Sequence, residues 1–184
     1  MFDHKGEQEL LMASRLGWFV LGVVTVVAVV IVGGYLFVKT GGIPMDTAAK
    51  PLPFEATIAH MALRASIAPA AKLSDPLQFD EANMVAGARQ YSEHCAFCHG
   101  TPGERTPTFA AAAMFPKPPQ LFVTDQMVTD DPEGVTYWKL TNGIRLSGMP
   151  AFVNTLSDTQ RWQITMLVSH ADKLPPATLT ILAH

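Results

Sequence analysis

Hydrophobic positions along this chain follow three different patterns. From Leu16 to Val38 the sequence LGWFVLGVVTVVAVVIVGGYLFV holds no charge and lies between Arg15 and Lys39. At a rise of about 1.5 Å per residue, about 20 such residues cross a hydrocarbon core of ~30 Å, whereas strands rarely exceed about ten residues. The run therefore predicts a single transmembrane helix over 16–38, preceded by a short N-terminal segment, 1–15. Trp18 and Tyr35 stand near its two ends, where amphipathic rings favour the membrane interface. A cleaved signal peptide is the competing reading. Its apolar stretch normally runs about 7 to 15 residues before a small-x-small site, and the following KTGGIPMDTAAK offers no clear one.

The second pattern occupies 39–76, where Pro44, Pro51, Pro53, Pro69 and Pro76 predict a semi-rigid spacer. Within it, Phe54, Ile58, Met61 and Ala65 recur at helical spacing, a stripe over 54–67 that lies on a membrane or a partner subunit, or else packs onto the chain's own domain.

The third pattern is that of a small globular domain, 77–174. Asp80 is placed to cap a helix whose stripe is Met84, Ala88, Tyr91 and Cys95. Ser157-Asp158-Thr159-Gln160 fits a capping box before a helix with Ile164, Leu167, Val168 and Ala171 on one face. Pro175 and Pro176 read as its stop, which leaves 175–184 as a tail. Between these helices lie Gly- and Pro-rich loops and one short helix, from Asp131 through Pro132 in its first turn to Gly143. No run alternates with a period of two, so the fold class is all-α with long loops. Loops of that length need something besides their own side chains to pack on, and a bulky apolar cofactor would supply it.

Composition narrows the field. A length of 184 residues fits one domain, or two at most. With 48% hydrophobic and 16% charged residues, the chain is too apolar for a disordered protein and unusual for a soluble one. A net charge of -3 lacks the electrostatic footprint of a nucleic-acid binder. Two cysteines exclude a disulfide-stapled scaffold and direct attention to what those thiols do.

Both thiols fall in Cys95-Ala96-Phe97-Cys98-His99. The spacing C-x-x-C-H reads as a c-type haem attachment site, in which two thiols add to the macrocycle's vinyl groups and the adjacent imidazole coordinates iron. Three rivals compete. A redox dithiol expects a βαβ context that this helical, loop-rich segment lacks. Zinc needs four convergent ligands, and no second Cys/His pair exists beside Cys95, Cys98, His99 and His94. A disulfide between Cys95 and Cys98 would close too small a loop to stabilise much, and it leaves His99 unexplained.

Over about residues 77–174 the sequence resembles the class I c-type cytochromes. Gly87 and Tyr91 stand eight and four positions before Cys95, like that family's small residue and aromatic on the first helix. The resemblance implies a close crossing of the first and last helices, with Trp162, Ile164 and Leu167 as candidate partners. Pro119-Gln120-Leu121 is similar to the family's P-x-L segment, which implies that the Pro119 carbonyl accepts the His99 N–H, fixing its tautomer and raising its basicity. Met149, about 50 residues after His99 in Gly148-Met149-Pro150, resembles the family's axial methionine. Its flanking glycines permit a loop to cross the far face of a haem. Met61, Met84 and Met166 are read as core, and Met114 as too near His99 in sequence to reach that face. Completion of the iron by His170 or His60 is the alternative.

Tyr137, Trp138 and Arg145 are implied partners of the haem propionates, unless Trp138 is core and Arg145 solvated. The resemblance thus implies one covalently bound haem c, with Cys95 and Cys98 as attachment points and His99 and Met149 on the iron. Saturated iron changes only between ferric and ferrous states, so the expected function is one-electron transfer rather than catalysis. Because haem is attached after export in this family, residues 39–184 are expected outside the cytoplasmic membrane and 1–15 inside. Two roles stay open: an anchored shuttle in a respiratory or related chain, and a fixed haem subunit of a larger membrane oxidoreductase such as a quinol-oxidising complex, a terminal oxidase or a periplasmic dehydrogenase. The expected partners are redox proteins or neighbouring subunits and the lipid bilayer, with no nucleic acid.

Overall fold

A computed structural model describes residues 4–104 and 106–183. Met1–Asp3 of the expected N-terminal segment and His184 of the expected tail lie outside them. Among the described residues every regular element is helical and no strand occurs. The chain divides into two compact units, Met1–Leu52 and Pro53–His184.

The first unit is built on α1, His4–Lys39. Its stretch Ser14–Lys39 is long and apolar enough to cross a membrane, and none of it is buried by other parts of the protein. The helix begins well before the apolar run because Glu, Gln, Leu, Met and Ala, which precede Leu16, are good helix formers in their own right. Gly41, at φ 80, ends it: its N–H bonds to the Val38 carbonyl and that of Gly42 to the Phe37 carbonyl, the paired bonds by which a left-handed glycine closes a helix.

The second unit begins with α2, Glu55–Ile67, and a 3-10 turn, Ala68–Lys72. It continues through α3 (Glu81–His94), α4 (Ala96–His99), α5 (Phe109–Ala113), α6 (Glu133–Asn142), α7 (Asp158–Ser169) and α8 (Pro176–Leu182). Asp80 caps α3 by accepting the Asn83 N–H at 2.8 Å. Ser157 and Gln160 complete both halves of the capping box on α7. The core lies where α3 crosses α7, with α6 against α7 and α8 against α3. Met84, Ala88, Tyr91 and Leu167 are wholly buried there. Gly87 makes the crossing possible, since a Cβ at that position would stand 2.2 Å from the Gln163 carbonyl oxygen. Only a residue without a side chain admits a backbone that close.

Three local expectations are corrected. Residues 175–184 are not a tail: Pro175 is the N-cap of α8 and Pro176 opens it, and Thr178 and Leu182 are buried. Proline stops a helix from within but starts one readily, because its missing N–H would be unpaired in the first turn anyway. The preceding helix α7 has already ended at Ser169. Pro132 is the N-cap of α6 rather than part of its first turn, and Gly143, at φ 67, is its C-cap. Finally, the segment before residue 77 is not a free spacer throughout. Its 3-10 turn seats Ala70 against α6, where Gly134 has no Cβ to collide with the Ala70 carbonyl at 2.0 Å.

Candidate haem-binding site

The chemistry-bearing residues lie on a single helical turn. Cys95 caps α4, and the His99 and Cys98 N–H groups both donate to the Cys95 carbonyl, at 2.9 and 3.1 Å. Cys95, Cys98 and His99 therefore project from one short segment. Both thiols are free. Burial pushes the Cys95 thiol up to about 12, with Cys98 adding to the shift. A dithiol oxidoreductase needs a thiolate below the ordinary range, so this environment is the reverse of what that rival requires. Among the described residues no group of three or more His, Cys, Asp or Glu side chains converges as a metal site, which also leaves zinc without a ligand set.

Four hydrogen bonds tie α4 to the segment 118–121 and to α3. His99 Nδ1 lies 2.8 Å from the Pro119 carbonyl oxygen, and the Leu121 N–H donates to the His99 carbonyl at 3.0 Å. Gln120 is buried, and its Nε2 donates to the Cys98 and Pro118 carbonyls at 3.0 and 3.2 Å. The Tyr91 hydroxyl donates to the Gly100 carbonyl at 2.8 Å, while its ring meets Phe122 edge-on at 5.3 Å. Gly100 sits at φ 73, and a Cβ there would press on the Gln120 amide oxygen at 2.8 Å. Gln120 escaped the sequence reading although it lies inside Pro119-Gln120-Leu121. An amide between proline and leucine in a Pro-rich, mostly apolar loop was the available signal, because such a group enters a core only with partners.

These bonds set the chemistry of His99. A carbonyl can only accept, so Nδ1 carries the proton and Nε2 keeps its lone pair. Burial lowers the pKa of the imidazole, with the Pro119 bond opposing, so the ring is held neutral. A neutral imidazole with a free Nε2 is a metal ligand, and its bonded Nδ1–H strengthens the donor.

Met149 occupies a loop folded back on the end of α6. Its carbonyl accepts the Ile144 N–H at 3.2 Å and its N–H donates to the Ser147 hydroxyl at 3.2 Å. The Phe152 and Val153 N–H groups reach the Leu140 and Thr141 carbonyls. Gly143 allows this return, since a Cβ there would meet the Pro150 and Ala151 backbone at 2.8 Å. Met114, set aside on sequence distance, is in fact at this loop: its methyl group fills the space where Gly148 lacks a side chain. A fixed, neutral imidazole and two free thiols share one helical turn, a pattern suited to attaching haem, while the half-buried Met149 thioether belongs to a separate glycine-flanked loop.

Of the expected propionate partners, Tyr137 and Trp138 lie on α6 and Arg145 in the loop after it. Tyr137 stacks on Trp162 at 4.0 Å and donates its hydroxyl to Asp158, whose carboxylate also binds Arg161 at 3.1 Å. Serving a propionate would require that bond to break. Trp138 is half-buried, and Arg145 is exposed within the Met149 loop. His170, the alternative ligand, lies with Nδ1 2.9 Å from the Met166 carbonyl and its ring 4.5 Å from that of Phe79. His60 is exposed on α2.

Residues 82–166 match the family model described as cytochrome c oxidase, cbb3-type, subunit III. A chain of a reducing HAO-like protein complex of Kuenenia stuttgartiensis is 28% identical, with a TM-score of 0.45 over 55% of this chain and 48% of that one. The present chain thus spans about half the length of that relative. No curated protein matches the chain.

Proposed function

We propose that the chain is a membrane-anchored monohaem c-type cytochrome that transfers single electrons in a respiratory or related chain, a reading supported by the match of residues 82–166 to a cytochrome c oxidase subunit family. The observation that carries this reading is the His99 Nδ1 contact with the Pro119 carbonyl, which leaves Nε2 as a ligand on the same helical turn as both cysteines. Cys95 and Cys98 would hold the haem covalently, with His99 and Met149 on the iron. The bound haem supplies one reversible electron, and the chain's part is to tune and shield it. Met149 would contribute a thioether, which favours the ferrous state over a second histidine. His99 and Met149 would together hold the iron and keep substrates from it. α1 would serve as the anchor, with residues 39–184 on the extracytoplasmic side and 1–15 in the cytoplasm.

A pyridine-haemochrome spectrum combined with a denaturing-gel haem stain tests the attachment. One covalent haem per chain is expected, and its absence would overturn the proposal. Met149→Ala should lower the reduction potential and open the iron to carbon monoxide in the ferrous protein. Met166→Ala, at a buried core position, should leave the ligation spectrum unchanged.

The matched family is described as a subunit of an oxidase, which favours a second role, that of a fixed haem subunit in a larger membrane complex. Purification in mild detergent separates the two. A stable multi-subunit peak supports the fixed subunit, and a lone haem protein supports the shuttle.

A further inference from the structure

One face of α2 has no counterpart in the unit that carries it. Phe54, Ile58 and Met61 are 76%, 59% and 64% exposed, and with Ala65 they fall on one side of the helix. Leu63 and Ile67, on the other side, are half-buried, and α2 meets α6 and the 3-10 turn. The helix therefore grips its own domain with one face and turns an apolar strip outward. Phe54 sits in the left-handed region at φ 65, a conformation that L residues seldom adopt, while its ring stays open to solvent. Backbone strain of this kind persists where a function uses it.

The strip is edged by cations. Thr57, His60 and Arg64 line a shallow groove with Met61, and Lys72 follows at the exposed end of the 3-10 turn. Across residues 53–72, Arg64 and Lys72 face a single acid, Glu55, in a chain whose net charge is -3. An apolar strip flanked by positive charge is complementary to an anionic phospholipid surface, where rings and branched chains enter the headgroup boundary and Arg stems lie along it. Covalent reach favours the same partner. Fifteen positions separate Lys39, at the end of the apolar helix, from Phe54, at most about 50 Å of extended chain.

We propose that α2 is a lipid-docking helix, which inserts Phe54, Ile58 and Met61 into the interface of an anionic bilayer and sets Arg64 and Lys72 on its phosphates. This rests on the reading of α1 as an anchor. Docking would hold the haem domain close to the membrane surface.

The test uses the full-length, haem-loaded protein in vesicles of phosphatidylcholine with a minority of phosphatidylglycerol. Spin labels are placed at Ile58→Cys and Met61→Cys, with a reference label at Glu93→Cys on the exposed face of α3. In vesicles the first two labels should close to a water-soluble nickel chelate yet stay open to oxygen, while the reference label stays open to the chelate. Losing Arg64 or Lys72 to alanine should reduce the docking equilibrium constant, the ratio of docked to undocked protein, about fivefold for each cation. Labels that stay open to the chelate in vesicles would overturn the docking. So would labels closed to both probes or broadened by a neighbouring spin, which would assign the strip to a protein partner or a second copy. Protein that fails to float with the vesicles after an alkaline wash defeats the anchor reading and this one with it, whereas floating protein with open labels defeats this one alone.

Discussion

Replacing Gly87 by alanine tests the packing on which the second unit depends. The new Cβ would stand 2.2 Å from the Gln163 carbonyl oxygen and 2.7 Å from its carbon. Carbon and oxygen approach comfortably only to about 3.3–3.6 Å, so α3 and α7 must part by roughly 1 Å. The obstacle is backbone, and no rotamer change relieves it. Overpacking of this kind costs about 1–3 kcal/mol, and the separation also loosens Met84, Ala88, Ile164 and Leu167 around the crossing. Alanine's better helix propensity returns about 1 kcal/mol. A net loss of about 1 kcal/mol follows, which for a unit of this size lowers the unfolding midpoint by roughly 3–6 °C. Thermal unfolding of the haem-loaded protein, followed by far-ultraviolet circular dichroism, reads it directly. A Gly87→Ala midpoint at or above that of the wild type would show that the helices do not close at this position.

Further substitutions probe other parts of the domain. Asp75 has one carboxylate oxygen accepting the Leu77 N–H at 2.8 Å and the other buried without a hydrogen-bond partner. Burial raises its pKa above 3.8, with Glu133 adding to the shift. The folded state therefore holds the proton more tightly than the unfolded one, and stability falls as pH rises from 3.8 through the raised value. Asp75→Asn should flatten that part of the stability profile and stabilise the protein at neutral pH; urea titrations with unchanged pH dependence would refute this. Gln120→Leu removes two hydrogen bonds to partly buried carbonyls and should cost about 1–3 kcal/mol in the same titrations. Wild-type stability in that variant would mean that Gln120 does not pin α4. Tyr137→Phe should cost about 1 kcal/mol while leaving the reduction potential unchanged. A shifted potential would instead assign the hydroxyl to a propionate.

How far the sequence revealed these features depended on the range of the interaction. Asp80 and the Ser157–Gln160 box announce their helices because a cap is satisfied within three residues, so its signal is local. Gly87 was readable as a crossing point only through family likeness, and the backbone it meets belongs to Gln163, between the expected Trp162 and Ile164. The contact of Pro119 with His99 spans twenty positions and was reached only through family likeness. Where a residue has two physical uses, sequence alone did not choose between them. Pro175-Pro176 can close one helix or open another, and only the burial of Thr178 and Leu182 against the core decides for α8. Tyr137 could face a cofactor or a neighbouring helix, and Arg161, which helps hold it, stands 24 positions away. The approach of Ala70 to Gly134 left no trace in local pattern, because each glycine in a loop-rich chain has many possible reasons.

The two segments that would flank the haem differ in stiffness. On the side of His99, side-chain and backbone bonds from Tyr91, Pro119, Gln120 and Leu121 converge on α4, all of them at buried or half-buried positions except Pro119. On the side of Met149, few bonds cross the loop from Ile144 to Pro150, and Leu146 at its tip is 90% exposed in a left-handed conformation at φ 60. Local opening proceeds from the least protected segment. Hydrogen exchange should therefore be fastest across 144–149 and slowest across 95–100. Under rising denaturant the thioether side would be surrendered while the imidazole side still holds, so the protein would first fail as a change of ligation within an otherwise folded domain.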